Sequence, residues 1–178
     1  MWPPEHFVFA LLPFLVYTVF RYRRFPSGHT ILLVLAGSQL PDLIDKPLAW
    51  TFAVIPSGRM LAHSIVISGP VLGLGCLLAL RFGWARYAVL FSFSYLSHLV
   101  GDFYPIALVG REYYFFPNLF WPLLEANPDR APSFTAHIPE DPSSLLLPFA
   151  IFGVIMCYAV ADVLVRFRRR RQLNSPPL

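Results

Sequence analysis

Residues 85–103 read ARYAVLFSFSYLSHLVGDF, an apolar stretch long enough to cross a bilayer that also carries His98 and Asp102 near its end. A crossing segment needs about 20 apolar residues and has to be helical, because a lone strand in lipid would leave its backbone groups unpaired. Four further apolar stretches lie at about residues 6–20, 28–44, 62–81 and 144–166. The sequence therefore predicts an all-α, polytopic membrane helix bundle with about five transmembrane helices.

The composition of the chain supports this prediction and excludes a soluble enzyme or a disordered chain. Of the 178 residues, 56% are hydrophobic and 13% are charged, whereas about a quarter of the residues in a soluble domain are charged. Most of the net charge of +4 comes from arginines that flank apolar stretches, which indicates topology rather than nucleic-acid binding. Cys76 and Cys157 lie inside apolar stretches, so we expect neither a disulfide nor a cysteine-based metal site.

Three arginine clusters predict the orientation of the chain. They lie at residues 21–24, 81–86 and 166–171, which fall on one side of a five-span bundle. Short loops rich in Lys and Arg stay in the cytoplasm. We therefore expect an N-out, C-in, multi-pass protein of the plasma (inner) membrane, with membrane lipids as partners.

The predicted bundle forms one transmembrane helical domain at residues 1–171, and residues 172–178 are expected to be a short disordered tail. The outer segment at residues 104–143 is rich in aromatic residues, so we expect part of it to lie in the interface or over the bundle. Residues 126–143 are expected to be its loosely held part.

Six ionisable residues fall at the predicted outer ends of four different helices. Such groups are costly within apolar spans and usually face the bundle interior or an aqueous cavity. His98 and Asp102 are one helical turn apart and share a helix face, as a metal-binding pair requires. Imidazole nitrogen and carboxylate oxygen suit a divalent ion, preferably Zn, with Mn or Fe as alternatives. The six residues are His6, Asp42, Asp45, His63, His98 and Asp102.

Each of these residues taken alone also has a structural explanation. A single interfacial histidine is often only hydrogen-bonded, and Asp42 and Asp45 could end a helix before Pro47. Their convergence on one side favours a shared site. His29 lies at the cytoplasmic end of its helix and is not included, whereas His137, in the outer segment, could fold over the site or be solvated.

Four short motifs, taken in this order, resemble the membrane-bound metal-dependent hydrolases of the YdjM-like type. The resemblance covers about the first 105 residues and implies a metal site carried by His6, Asp42, His63, His98 and Asp102, with Asp45 as a ligand or a supporting partner. The motifs are Glu5-His6, LPDLIDKP at 40–47, GRMLAHS at 58–64 and YLSHLVGD at 95–102.

The third motif departs from the family pattern. Many relatives have His-Arg-Gly-x-Thr-His-Ser, and here Gly58 and Ala62 replace the first His and the Thr. Arg59, His63 and Ser64 remain, so the resemblance leaves the number of metals open. The arrangement is also loosely similar to zinc-dependent phospholipase C, which suggests phosphoester substrates by analogy.

The resemblance implies an integral membrane metal-dependent hydrolase that acts on a phosphoester or lipid-linked substrate at the outer membrane face. A bound divalent ion lowers the pKa of its water towards about 7 and polarises the oxygen of the substrate. Asp45 is the predicted proton acceptor. Arg59 is the predicted partner of a substrate phosphate, because its planar guanidinium can form two parallel hydrogen bonds with one.

Two other functions fit the same residues. A non-enzymatic membrane protein could use the His/Asp cluster as a structural or regulatory metal site. An ion or proton transporter would also carry His and Asp inside the membrane. Its path would need polar groups down to the cytoplasmic side, and the spans at 62–81 and 144–166 offer almost none.

Overall fold

The computed structural model describes residues 2–109, 113–139 and 141–173, and within these residues the fold is all-helical. The all-α prediction is therefore confirmed. The five α-helices of this part are α1 (Pro3–Tyr22), α2 (Gly28–Lys46), α3 (Ile65–Arg81), α4 (Ala85–Val109) and α5 (Leu146–Leu173). A π-helical turn at Pro47–Thr51 follows α2, and 3-10 turns lie at Phe116–Phe120, Thr135–His137 and Pro142–Leu145.

Serine residues explain where two of the helices begin. The Ser27 hydroxyl accepts a hydrogen bond from the Thr30 N–H at 3.3 Å, and Ser64 caps α3 in the same way. Such caps satisfy N–H groups that have no partner within the helix. Because the cap of α3 is Ser64, His63 lies in the turn before the helix. The predicted span at 62–81 placed it inside the helix.

Helix α2 is central, since it packs against α1, α4 and α5. It approaches α4 closely at Gly37, where an added Cβ atom would lie 2.7 Å from the Phe91 carbonyl oxygen. Only glycine allows the two backbones to come this close. This approach places the second half of α2 beside the part of α4 that carries His98.

A small apolar core joins α1, α2 and α5. Phe7 of α1, Val34 of α2 and Ala159 of α5 are all fully buried in it. By contrast, the outward faces of α3 and α5 are apolar and exposed, with Leu77 63% and Val154 72% accessible. Apolar surface of this extent on long helices is typical of helices that face lipid.

Two helices of the described part are long and apolar enough to cross a membrane, at Pro3–Tyr22 and Pro142–Gln172. Helix α3 is also apolar but is shorter. Polar residues such as Gln39 and Asp45 lower the hydropathy of α2. The fold therefore supports a membrane location, and the number of spans and their orientation stay predictions.

The segment between α4 and α5 is fastened to the loop between α2 and α3. The Asp129 carboxylate accepts hydrogen bonds from Trp50 Nε1 at 2.5 Å, from the Gly58 N–H at 2.7 Å and from the Ser57 hydroxyl at 3.0 Å. Asn127 is held by a second bond, in which its N–H donates to Asn118 Oδ1 at 2.7 Å. The prediction that residues 126–143 are loosely held is therefore wrong for residues 127–129.

The C-terminal boundary also differs from the prediction. Gln172 and Leu173 belong to α5, and the remainder of the predicted tail lies outside the described residues. The side chain of His137 lies outside the described part as well, so its predicted alternatives stay open.

Candidate metal centre

Four donor atoms from α2, from α4 and from the turn before α3 converge on one point. Asp42, His63, His98 and Asp102 each offer one atom, and these atoms all lie within 4.8 Å of one another. All four side chains are buried. Four of the six residues that the sequence singled out thus meet at a single site.

The spacing of these atoms fits one small divalent ion. In tetrahedral coordination with bonds of about 2.0–2.2 Å, neighbouring ligand atoms lie roughly 3.3–3.6 Å apart. His63 Nε2 lies 3.1 Å from His98 Nε2, 3.5 Å from Asp42 Oδ1 and 3.4 Å from Asp102 Oδ2. His98 Nε2 lies 3.7 Å and 3.8 Å from the same two oxygens. An ion could be held here with little movement of the side chains.

An unsatisfied oxygen points to the same conclusion. Asp42 Oδ1 is buried and has no hydrogen-bond partner among the described residues. Leaving a buried polar group without a partner costs about 1–3 kcal/mol, and more when the group is charged. A cation between Asp42 and the two imidazoles would satisfy this oxygen.

Both histidine rings are fixed through their Nδ1 atoms. His98 Nδ1 lies 2.5 Å from the Ser38 carbonyl oxygen, to which it has to donate. His63 Nδ1 lies 2.9 Å from Asp45 Oδ2 and donates to it in the same way. If both rings are neutral, their Nε2 lone pairs face each other and repel. A cation or a proton between the two atoms removes this repulsion.

Asp45 supports the site and is itself saturated with hydrogen bonds. In addition to the His63 ring, it accepts bonds from the backbone N–H groups of Met60 at 2.9 Å, Ala62 at 2.8 Å and His63 at 3.1 Å. Its side chain is fully buried. This geometry favours the supporting role that the resemblance implies over the predicted role of proton acceptor.

His6 and Arg59 both contact the site through Asp102. His6 Nε2 lies 3.0 Å from Asp102 Oδ1, and Arg59 Nε lies 3.0 Å from Asp102 Oδ2. The His6 ring also stacks on the ring of His98, with 3.9 Å between their centroids. His6 is thus placed beside the four donors, and its predicted role as a ligand stays a prediction.

Neighbouring carboxylates favour the charged forms of His63 and Arg59, which both lie in the loop before α3. Burial disfavours the charged form of His63, but hydrogen bonds and charges from Asp102, Asp45 and Asp42 raise its pKa to about 9. Burial also opposes the charge of Arg59, yet the neighbouring Asp102 raises the pKa of the guanidinium above its ordinary value. A metal ion at His63 Nε2 would compete with a proton for that atom.

A cavity of about 690 Å³ extends along α2 to the site. Its walls are mostly apolar, and its polar lining comes from Gln39, Asp42, Lys46 and Arg59. Asp42 thus belongs both to the donor cluster and to the cavity wall. Of the four donors, Asp42 is the one that lines the cavity, so the cavity adjoins the cluster at this residue.

Several supporting residues were missed in the sequence. Lys46 Nζ lies 2.5 Å from Asp42 Oδ2, and the i,i+4 spacing of the two residues was a signal that could have revealed this pair. Two other contacts had no such signal. The acceptor for His98 is the backbone carbonyl of Ser38, and the Asp129 carboxylate binds the Gly58 N–H from 71 residues away in the sequence, so neither contact leaves a local pattern. His29 is exposed at the opposite end of α2, as expected.

The chain belongs to the YdjM inner membrane protein family, whose model matches residues 1–172. The resemblance drawn from four motifs is confirmed, and the match extends well past the first 105 residues. No curated protein and no solved structure matches the chain, so the similarity to zinc-dependent phospholipase C stays a prediction. The name of the family describes a location in the inner membrane and says nothing of hydrolysis.

Proposed function

From membership of this inner membrane family and from the buried His/Asp cluster, we propose that the protein is a metal-dependent hydrolase of phosphoesters. The observation that carries the proposal is the set of Asp42, His63, His98 and Asp102, whose donor atoms have the spacing of a coordination shell. Zinc is the preferred ion because imidazole and carboxylate ligands suit it, and Mn or Fe would also be accommodated.

An accessible site favours catalysis over a purely structural metal. Structural zinc sites are closed by four protein ligands, whereas catalytic sites keep a position for water or substrate. Hydrolysis here therefore requires that one of the four donors stays off the ion or that the ion takes a fifth ligand. The cavity reaches the cluster at Asp42 and Arg59, so a substrate has a route to it. A structural or regulatory metal site remains the alternative function, and it predicts bound metal without hydrolysis.

The side chains around the cluster have distinct roles in this proposal. When bound, a divalent ion supplies Lewis acidity and lowers the pKa of its water. Asp45 holds His63 so that Nε2 faces the cluster. Asp102 holds Arg59 through Nε, and the guanidinium has four further N–H donors for a substrate phosphate. Lys46 pairs with Asp42 and adds positive charge at the same end of the cavity.

The proposed arrangement in the membrane has five spans, N-out and C-in, in one domain. This arrangement is supported by the fact that the His/Asp cluster and the arginines lie at opposite ends of the helices. The cluster lies near the start of α1 and the end of α2, whereas Arg21 lies at the end of α1 and Arg81 at the end of α3. The site then faces the extracytoplasmic side. A reporter fused after Arg171 should be cytoplasmic, and periplasmic activity of that fusion would contradict this orientation.

The test of the function combines metal analysis with a substrate screen. The purified protein in detergent should contain a divalent metal and should hydrolyse phosphoesters such as bis(4-nitrophenyl) phosphate or phosphatidic acid. Chelation should abolish this activity, and return of the metal should restore it. A stoichiometric metal with no hydrolysis across the screen would instead favour the structural alternative.

A further inference from the structure

One face of α2 forms a wall of the cavity along most of the helix, from its second turn to the candidate metal centre. Its lining residues recur at intervals of three and four, which places them on one side of the helix. The lining is apolar from Leu32 to Ala36 and again at Leu43. Gln39 and Asp42 lie between these parts, and Lys46 ends the lining one turn after Asp42. The residues of this face are Leu32, Leu35, Ala36, Gln39, Asp42, Leu43 and Lys46.

The stretch of this wall from Leu32 to Leu43 is about as long as one membrane leaflet is thick. Leu32 and Leu43 are eleven residues apart in a helix, which corresponds to about 16 Å at 1.5 Å per residue. Half of the hydrocarbon core of a bilayer is about 15 Å thick. Leu43 is 66% exposed, so the cavity is open sideways, where lipid would surround the helix.

The end of the cavity next to the cluster suits an anionic group. Among the charged side chains that line the cavity, the cations Lys46 and Arg59 outnumber the one carboxylate, Asp42. The cavity thus combines a mostly apolar wall with a cationic end that attracts a phosphate.

We infer that this cavity binds an anionic phospholipid, with an acyl chain along the Leu32–Leu43 face of α2 and the phosphate at Lys46 and Arg59. The inference rests on the proposed function and specifies its substrate class. In the hydrolysis that follows, water oxygen forms the new bond to phosphorus, the ester P–O bond breaks, and the leaving oxygen takes a proton. A water-soluble phosphoester would have no use for the apolar wall.

Photo-crosslinking tests this inference without any need for activity. The full-length protein is placed in nanodiscs of phosphatidylcholine that contain phosphatidic acid with a diazirine in the middle of its acyl chain. After irradiation, mass spectrometry should locate the adducts preferentially on the Leu32–Leu43 face of α2. Ala36→Trp places an indole in the cavity and should reduce these adducts about tenfold, and Ala36→Phe should reduce them less.

The matched control is Leu74→Trp, which adds the same indole at a 59% exposed position of α3, away from the cavity. This variant should leave the α2 adducts unchanged. Equal labelling of α2, α3 and α5, or adducts insensitive to Ala36→Trp, would overturn the inference. Specific adducts in a protein that hydrolyses nothing would support lipid binding and refute the proposed function. Hydrolysis of soluble phosphoesters together with nonspecific labelling would support the proposed function and refute lipid binding in the cavity.

Discussion

The Nε2 atoms of His63 and His98 lie 3.1 Å apart, and each ring is fixed from behind by a different acceptor. The Asp45 carboxylate fixes His63 and the Ser38 carbonyl fixes His98. Two imidazoles oriented in this way present both lone pairs to one point. Such acceptors behind the ring are typical of histidines that bind metal, because they set the tautomer and raise the basicity of the ligating nitrogen.

Replacing His98 should remove metal from the protein. His98→Ala deletes one donor and leaves Asp42 and Asp102 without the imidazole between them, so bound metal should fall about tenfold or more. Elemental analysis of the purified variants measures this loss. His29→Ala is the matched control, because His29 is exposed at the other end of α2. Equal loss in both variants, or none in either, would refute the assignment.

Asp45→Asn should weaken the site without removing a predicted donor atom. Both oxygens of Asp45 accept N–H groups, so the amide of Asn would point its NH₂ at a donor whichever way it is turned. We expect metal affinity to fall about 10–100-fold, with a loss of about 1–3 kcal/mol in stability. Competition with a chelator measures the affinity.

The control for this variant is Asp162→Asn. Asp162 accepts the Gly28 N–H at the opposite end of α2 and pairs with Arg166, so its change should leave metal affinity unaltered. If Asp45→Asn binds metal as tightly as the unaltered protein, the supporting role of Asp45 is wrong.

Gly37→Ala should separate α2 from α4. The new Cβ atom would lie 2.7 Å from the Phe91 carbonyl oxygen, so one helix has to move. Overpacking of this kind costs about 1–3 kcal/mol, and metal affinity should fall as well because Asp42 and His98 are on the two separated helices. Thermal unfolding with and without added metal measures both effects. Gly73→Ala, whose Cβ would meet nothing within 4 Å, should leave metal affinity unchanged and should not lower the unfolding temperature, because alanine favours a helix more than glycine does. Equal behaviour of the two variants would contradict the close approach.

Arg59→Lys separates a substrate-binding role from a role in anchoring the loop. Lysine keeps the charge but loses the planar fork that binds a phosphate through two hydrogen bonds. We expect metal content to be retained and kcat/KM to fall by about 1–3 kcal/mol in transition-state binding, roughly ten- to a hundredfold. An active enzyme insensitive to the change would refute contact with the substrate. Loss of metal would instead indicate that Arg59 supports the site through Asp102.

Much of the fold and of the candidate site could be predicted because both depend on local patterns. Apolar runs of membrane length predicted the helices, and the i,i+4 pair of His98 and Asp102 predicted a shared face. The contacts that fix the geometry were harder to predict. The acceptor for His98 is a backbone carbonyl, and the Asp129 carboxylate accepts the Gly58 N–H although the two residues are 71 positions apart in the sequence. Neither the identity of a side chain nor its spacing in the sequence encodes such contacts.

X-ray absorption at the metal K-edge of the purified protein tests the central claim most directly, which is that Asp42, His63, His98 and Asp102 bind a divalent ion. The account predicts about one ion per chain, with nitrogen and oxygen ligands at about 2.0–2.2 Å and imidazole scattering that weakens in His98→Ala. A metal content far below one per chain, or sulfur ligands at about 2.3 Å, would contradict it.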